Sequence, residues 1–206
     1  MEFEVKSFSG KEAEVHLETI ADLRMRVFRD FPYLYKGTIE YEKDYLSRYF
    51  NAPSAKFFVL FYGTRIVGVA TCIPLSEEAH YIRKPFEEKG LDVNSYFYFG
   101  ESLLERIYRG KGFGKLFFQY REEEALKYPQ IEYTAFCAVT RSDDHPMKPD
   151  NYMSLEGFWS KMGYSPQPGL SAVMSWTDVD QEKETEKKLE FWVKKTQVEK
   201  GFTKML

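Results

Sequence analysis

Apolar and polar positions change period several times along the chain, and each change marks an element. Residues 2–7 alternate weakly, as a first strand. Across 11–30, Leu17, Ile20, Leu23 and Val27 fall near one stripe, the spacing of an amphipathic helix, and Pro32 closes it. A second short helix is predicted at 39–50. Two apolar runs, 56–61 and 66–73, flank Tyr62-Gly63-Thr64-Arg65, whose turn chemistry predicts a hairpin. Residues 77–90 form a charged helical insertion ending at Gly90. Next come a strand at 95–104, a glycine-rich turn, a helix at 113–128 and a strand at 131–140. A helix at 153–163 ends at Gly163, a C-cap residue, and strands at 170–176 and 188–193 finish the pattern around a polar loop. The order β-α-α-β-β-(α)-β-α-β-α-β-β predicts a mixed sheet with helices on its faces, an α/β or α+β sandwich.

Composition narrows what such a fold could do. At 206 residues the chain suits one domain, with 43% apolar residues for its core. Aromatic residues reach 17%, with 18 Phe and 15 Tyr, which suits a core with a lined cleft. Net charge is -3 and no basic stripe appears, which argues against a nucleic-acid partner. No apolar run is long enough for a membrane span and the N-terminus lacks a signal-peptide pattern, so a cytoplasmic location is expected. Cys72 and Cys137 sit in apolar strand runs and read as reduced core thiols. His16, His80 and His145 are scattered without a CxxC, so no metal site is expected.

The chemistry concentrates in Tyr108-Arg109-Gly110-Lys111-Gly112-Phe113-Gly114-Lys115, between a strand and a helix. Glycine lets the backbone turn sharply and approach a ligand. A helix N-terminus adds unpaired N–H groups and a partial positive charge, so the segment is an anion cradle. A Walker A loop fails here: Arg109 replaces its first glycine and Leu116 follows Gly114-Lys115. A dinucleotide fingerprint fails because Lys115 stands at its third glycine. What remains is R-x-x-G-x-G, met by Arg109, Gly112 and Gly114.

That pattern resembles the pyrophosphate loop of the GNAT superfamily of acetyl-CoA-dependent N-acetyltransferases. Two further segments are similar to that family. Leu23-Arg24-Met25-Arg26-Val27-Phe28 resembles its first-helix L-R-x-x-V-F, and Phe158-Trp159-Ser160-Lys161-Met162-Gly163-Tyr164 its F-Y-x-K-x-G-F. The resemblance covers about residues 1–195 and implies one domain over 1–206, with a mixed, mostly antiparallel sheet flanked by helices. It implies that Arg109, Gly110, Lys111, Gly112, Phe113, Gly114 and Lys115 hold the pyrophosphate of acetyl-CoA. The backbone of Ser102, Leu103 and Leu104 would meet the pantetheine arm and thioester, in a strand that the family breaks with a bulge. Glu105-Arg106 is one place for that break. Residues 31–37 would cover the acceptor.

The implied reaction moves acetyl to a primary amine of a small molecule or peptide, with no metal. It needs a general base and an acid for the departing thiolate. Glu101 interrupts an aromatic strand and is the first candidate base; alternation would put it on the face of Phe97, Phe99 and Leu103, and the alternative is a surface carboxylate paired with Arg106 or Arg109. His145, in the long 141–150 segment, is a second candidate, as base, acceptor contact or loop staple. The family's tyrosine acid is replaced by Trp159, which has no acidic hydroxyl; it would pack against pantetheine, leaving Tyr152, Tyr164 or water as the acid. Loss of that tyrosine keeps a silent CoA-binding sensor as an alternative, beside a ligand-free partner-binding domain. Strand 188–193, if exposed, could pair two copies in a homodimer.

Overall fold

In the computed structural model, which describes residues 2–196, eight strands form one sheet with helices on both faces. Strand β1 (Phe3–Ser9) leads into a single turn α1 (Gly10–Ala13), started by a capping box in which Ser9 and Glu12 exchange hydrogen bonds. After one 3₁₀ turn, α2 (Leu17–Phe28) begins, so the predicted helix is two helical pieces with a joint between. Helix α3 (Ile39–Asn51) starts at Thr38, whose side-chain oxygen accepts from the Tyr41 N–H. Strands β2 (Lys56–Tyr62) and β3 (Arg65–Pro74) form the expected hairpin, and α4 (His80–Glu88) is the charged insertion. The remaining elements are β4 (Tyr96–Tyr98), β5 (Ser102–Leu104), α5 (Phe113–Ala125), β6 (Tyr133–Val139), α6 (Glu156–Lys161), β7 (Ser165–Thr177) and β8 (Glu184–Lys195). The sheet order is β1-β2-β3-β4-β6-β8-β7, with β5 beside β3; β4 and β6 run parallel and the other pairs antiparallel.

Burial divides the aromatic residues between the two faces. Helices α2, α3 and α4 cover one face with Ile20, Leu23, Leu46, Tyr49, Ile82 and Phe86. The other face packs Phe97, Phe99, Phe117, Phe118 and Tyr164 with α5. A third, small group of Tyr35, Val139, Trp176 and Leu189 lies at one end.

Three expectations need correction. The strand at 95–104 is two strands, β4 and β5. Between the pairings Tyr98↔Ile73 and Ser102↔Ala70, three residues of this segment face two of β3. That extra residue makes a β-bulge at Gly100 and Glu101. The break therefore precedes Glu105-Arg106; Glu105 is a buried carboxylate that accepts from Arg26 and Arg65. The bulge also reverses side-chain faces: Phe97 and Phe99 point to the α5 side, while Leu103 packs with the α2 side. Strand 188–193 is not an exposed edge, because β8 pairs with β6 on one side and β7 on the other. Its backbone groups are thus committed within the sheet, which removes the basis for pairing two copies through it. Helix α6 is shorter than 153–163: its N-cap is Leu155, and just before it Ser154 Oγ accepts from the Glu156 N–H at 3.2 Å.

Candidate active site

The bulge is where the site begins. Strand β4 stays with β6 through Phe99, whose N–H donates to the Ala135 carbonyl at 2.8 Å. Beyond it the chain turns toward β3: the Gly100 N–H donates to Thr71 O and the Thr71 N–H to Glu101 O, each at 3.1 Å. Strand β5 pairs only with β3, so a V-shaped gap opens between β5 and the far half of β6. Glu101 O and the Glu105 N–H face β3. Ladder alternation then turns the polar backbone groups of Ser102 and Leu104 into the gap and those of Leu103, opposite Val69, toward β3. Of the three residues expected along the pantetheine arm, Leu103 thus has its backbone already engaged.

At the open end of the gap lies the glycine turn. Gly110 and Gly112 have φ of 77° and 88°, in the left-handed region that costs glycine little. They let the chain reverse into α5, whose N-cap Gly112 supplies no side-chain oxygen to the first-turn N–H groups. Arg109 and Lys111 stand exposed beside them, and Lys115 lies in the first turn of the helix. Arg109 reaches back to donate from Nε to the Leu104 carbonyl at 3.2 Å, tying the turn to β5. Phe158 of α6 packs on Gly114, where a Cβ would sit 3.4 Å from its ring. Trp159 packs edge-on against Phe136 and Trp192, both centroids at 5.1 Å, along the β6 wall of the gap. Exposed N–H groups, positive φ and flanking cations at one end of an open sheet gap fit an extended ligand with a phosphate at one end.

On the opposite face of the sheet, a cleft partly open to solvent reaches the apex of this gap. Gly100 and Glu101 line it from the bulge and Cys137 from β6. Tyr33 and Tyr35 enter from the 31–37 loop, Tyr41 and Tyr45 from α3, and Tyr81 from α4. The loop is fastened in place by Arg141, which donates to the Pro32 and Tyr33 carbonyls and to both oxygens of Asp178.

Charge in the cleft is concentrated and buried. Arg24 pairs with Glu42 and Glu101, and its guanidinium lies 4.1 Å from the Tyr45 ring centroid. Burial opposes its charge, but Glu101, Tyr45 and Glu42 together raise its pKa well above the ordinary arginine value. Glu101 accepts from the Tyr45 hydroxyl at 2.7 Å through Oε1, and its Oε2 is buried without a hydrogen-bond partner. Glu78 is also buried; its oxygens accept from the Tyr49 hydroxyl and, at 2.6 Å, from the Ala79 N–H. Burial outweighs those bonds and raises the Glu78 pKa. Cys137 meets the Tyr98 hydroxyl at 3.1 Å, and burial pushes its thiol up to about 12.

The sheet and helices thus bring Glu101 to the apex and leave His145 outside the cleft lining. The His145 ring packs on Phe31 at 5.7 Å, and its Nδ1 accepts from the Met147 N–H at 3.2 Å. The 141–150 loop wraps Phe31 from outside, which is why its length did not carry the histidine inward. Tyr152 sits on the same ring at 4.7 Å. Tyr164 is core, its hydroxyl bonded to Thr134 at 2.8 Å and to Glu122 at 3.1 Å. Among the described residues, no group of three His, Cys, Asp or Glu is placed to hold a metal.

Sequence reasoning missed Arg24, Glu42, Tyr45 and Glu78. A signal existed for two of them. Arg24 lies four residues after Ile20 on the buried stripe of α2, and Glu42 four before Leu46 on that of α3. Opposite charges on the buried stripes of consecutive helices point to each other.

The sequence pattern of the Acetyltransferase (GNAT) family matches residues 17–149. This chain belongs to the GNAT acetyltransferase family. Its fold agrees with solved GNAT structures. The loading GNATL domain of CurA from Lyngbya majuscula superposes with a TM-score of 0.60 at 12% identity, over 96% of this chain and 99% of that one. A GNAT-family acetyltransferase from Streptococcus pneumoniae gives 0.56 at 13% identity, over 94% and 99%. The yncA protein of Salmonella typhimurium, solved with its cofactor acetyl-CoA, gives 0.57 at 8%, over 98% of each. Identities this low show the fold alone. No curated protein matches the chain in sequence. GNAT acetyltransferases bind acetyl-CoA, and the open gap with its glycine turn fits that ligand. Among the described residues no helix is long and apolar enough to cross a membrane.

Proposed function

We propose that the chain is a single-domain N-acetyltransferase that moves the acetyl group of acetyl-CoA to a primary amine held in the tyrosine-lined cleft. One observation carries this: the bulge at Gly100 and Glu101 makes the gap on one face and the cleft on the other meet at a single point. Acetyl-CoA supplies an activated acetyl thioester. The N–H groups of residues 110–115 and the charges of Arg109, Lys111 and Lys115 hold its pyrophosphate, and the inward groups of Ser102 and Leu104 line its pantetheine arm. A backbone N–H of this segment receives the carbonyl oxygen as negative charge grows on it. Glu101, through its unpartnered oxygen, takes a proton from the ammonium. The amine nitrogen then bonds to the acetyl carbon and gives up its second proton to solvent as the C–S bond breaks and CoA leaves as a thiolate. Trp159 cannot protonate it, so solvent does.

The indole at this position also favours a second reading, a CoA-binding sensor without turnover. Amine-dependent release of free CoA thiol separates the two. Wild type is expected to release CoA, and Glu101→Gln to turn over about 10²-fold more slowly with acetyl-CoA affinity nearly unchanged. Binding of acetyl-CoA with no release on any amine would leave the sensor.

A further inference from the structure

Resting on the N-acetyltransferase reading, we propose that the acceptor is a small monocationic amine whose charge is carried on an aromatic or similarly flat apolar body, and which bears no carboxylate.

The walls point to the body. Tyr33, Tyr41, Tyr45, Tyr81, Tyr98 and Trp176 come from five separate segments and face one cleft. Aromatic faces stack on flat apolar groups and attract cations. Met174, Ile82 and Leu189 complete an apolar lining.

Charge points to the rest. Arg24, Glu78 and Glu101 are the charged residues of the lining. Arg24 is ion-paired with both Glu42 and Glu101, so although its Nη1 makes no hydrogen bond, an incoming carboxylate meets two carboxylates already beside the guanidinium. Two other cations nearby are committed too, as Arg141 and Lys187 both pair with Asp178, Lys187 beneath Trp176. Arg48, exposed at the rim, donates to the Tyr81 hydroxyl at 3.2 Å. The demand for a donor comes from Glu101 Oε2, a buried carboxylate oxygen with no partner in a side chain only 5% exposed. An amine N–H satisfies it. A second cationic centre would gain much less, because both oxygens of Glu78 are already hydrogen-bonded. The clamp of Arg141 on the 31–37 loop closes one end, which favours a small molecule over an extended peptide.

The test compares initial rates of acetyl-CoA consumption with phenethylamine, n-butylamine, phenylalanine and spermidine. Phenethylamine is expected to exceed butylamine in kcat/KM by about tenfold through ring contacts. It is expected to exceed phenylalanine by about a hundredfold through the unpaired carboxylate. Spermidine should do no better than butylamine. Tyr41→Leu, at the half-exposed mouth, should shrink the ratio of phenethylamine to butylamine. N,N-Dimethylphenethylammonium, which keeps one N–H but cannot form a stable amide, is titrated into the CoA-loaded protein by calorimetry and should bind, more weakly in Tyr41→Leu. Butylamine, phenylalanine or spermidine matching phenethylamine overturns the proposal and leaves the transferase reading standing. Turnover of none of the four with the tertiary ammonium still bound overturns the transferase reading instead, and failure of that ion to bind overturns the proposed ligand class.

Discussion

Arg24 is a buried cation held between two buried carboxylates, Glu42 and Glu101, each of which has Arg24 as its ion partner. Removing one partner from such a group leaves an uncompensated charge and costs roughly 3–5 kcal/mol. For that reason the Glu101→Gln test needs its stability measured beside its rate. Trp159 presents the reverse case, an apolar side chain where the family pattern has a hydroxyl. Trp159→Phe should keep most activity, since no proton passes through the indole. Trp159→Ala should weaken acetyl-CoA binding by about 1–3 kcal/mol through lost apolar contact, read by calorimetry. A collapse of activity in Trp159→Phe would give the indole a chemical role. Cys137 lines the cleft, yet a thiol at about 12 is almost wholly protonated at neutral pH. It should react with a disulfide reagent at pH 7.5 far more slowly than a free cysteine, and at the ordinary rate in urea. Rapid labelling of the native protein at Cys137 would refute the burial that raises it.

At the scale of elements, the bulge does what neither strand does alone. It holds Gly100 against the Tyr49 and Thr71 hydroxyls so closely that a Cβ there would overlap both. Tyr49 in turn bonds Glu78, and the Thr71 hydroxyl accepts from the Glu101 N–H at 2.8 Å. From behind the sheet, Arg121 of α5 donates to the Glu101 carbonyl at 3.1 Å. Burial lowers the Arg121 pKa to about 10, which leaves it charged at neutral pH. Gly100→Ala should therefore destabilise the protein by about 1–3 kcal/mol through overpacking and raise KM for the amine. Its acetyl-CoA affinity should change little, because the glycine turn lies at the other end of β5. Thermal melts and a KM-against-kcat comparison check this, and an unaltered KM would detach the bulge from the acceptor cleft.

Across the whole molecule, one buried charge group fastens three distant segments. Arg141 after β6, Asp178 after β7 and Lys187 of β8 meet beneath the 31–37 loop. Burial alone would raise the Asp178 pKa, but Arg141 and Lys187 prevail and lower it. A depressed carboxylate adds stability above its unfolded value of about 4 and loses that contribution as pH falls through the folded value. Asp178→Asn should thus be less stable at pH 7 by roughly 3–5 kcal/mol. It should also lose less further stability than wild type as the pH falls from 5 to 2. Urea unfolding across that range reads both, and parallel acid profiles would show that Asp178 is not held down by its partners.

Local chemistry was enough to determine part of this protein. The glycine turn was legible at Gly110, Gly112 and Gly114 because left-handed φ and a helix start are properties of a few adjacent residues. The hairpin of β2 and β3 and the helix α3 were legible for the same reason, as period and turn residues are local. The V-shaped gap was not, because a bulge is a miscount between two strands and appears only once β3 sets the register against Tyr98 and Ser102. That one-residue offset decided which face Glu101 takes. Tertiary packing alone brought Arg24 and Glu42 to Glu101, gathered tyrosines from separate elements into one cleft, and left His145 outside on Phe31. Sequence spacing carries no information about distances between elements until the sheet fixes where each one lies.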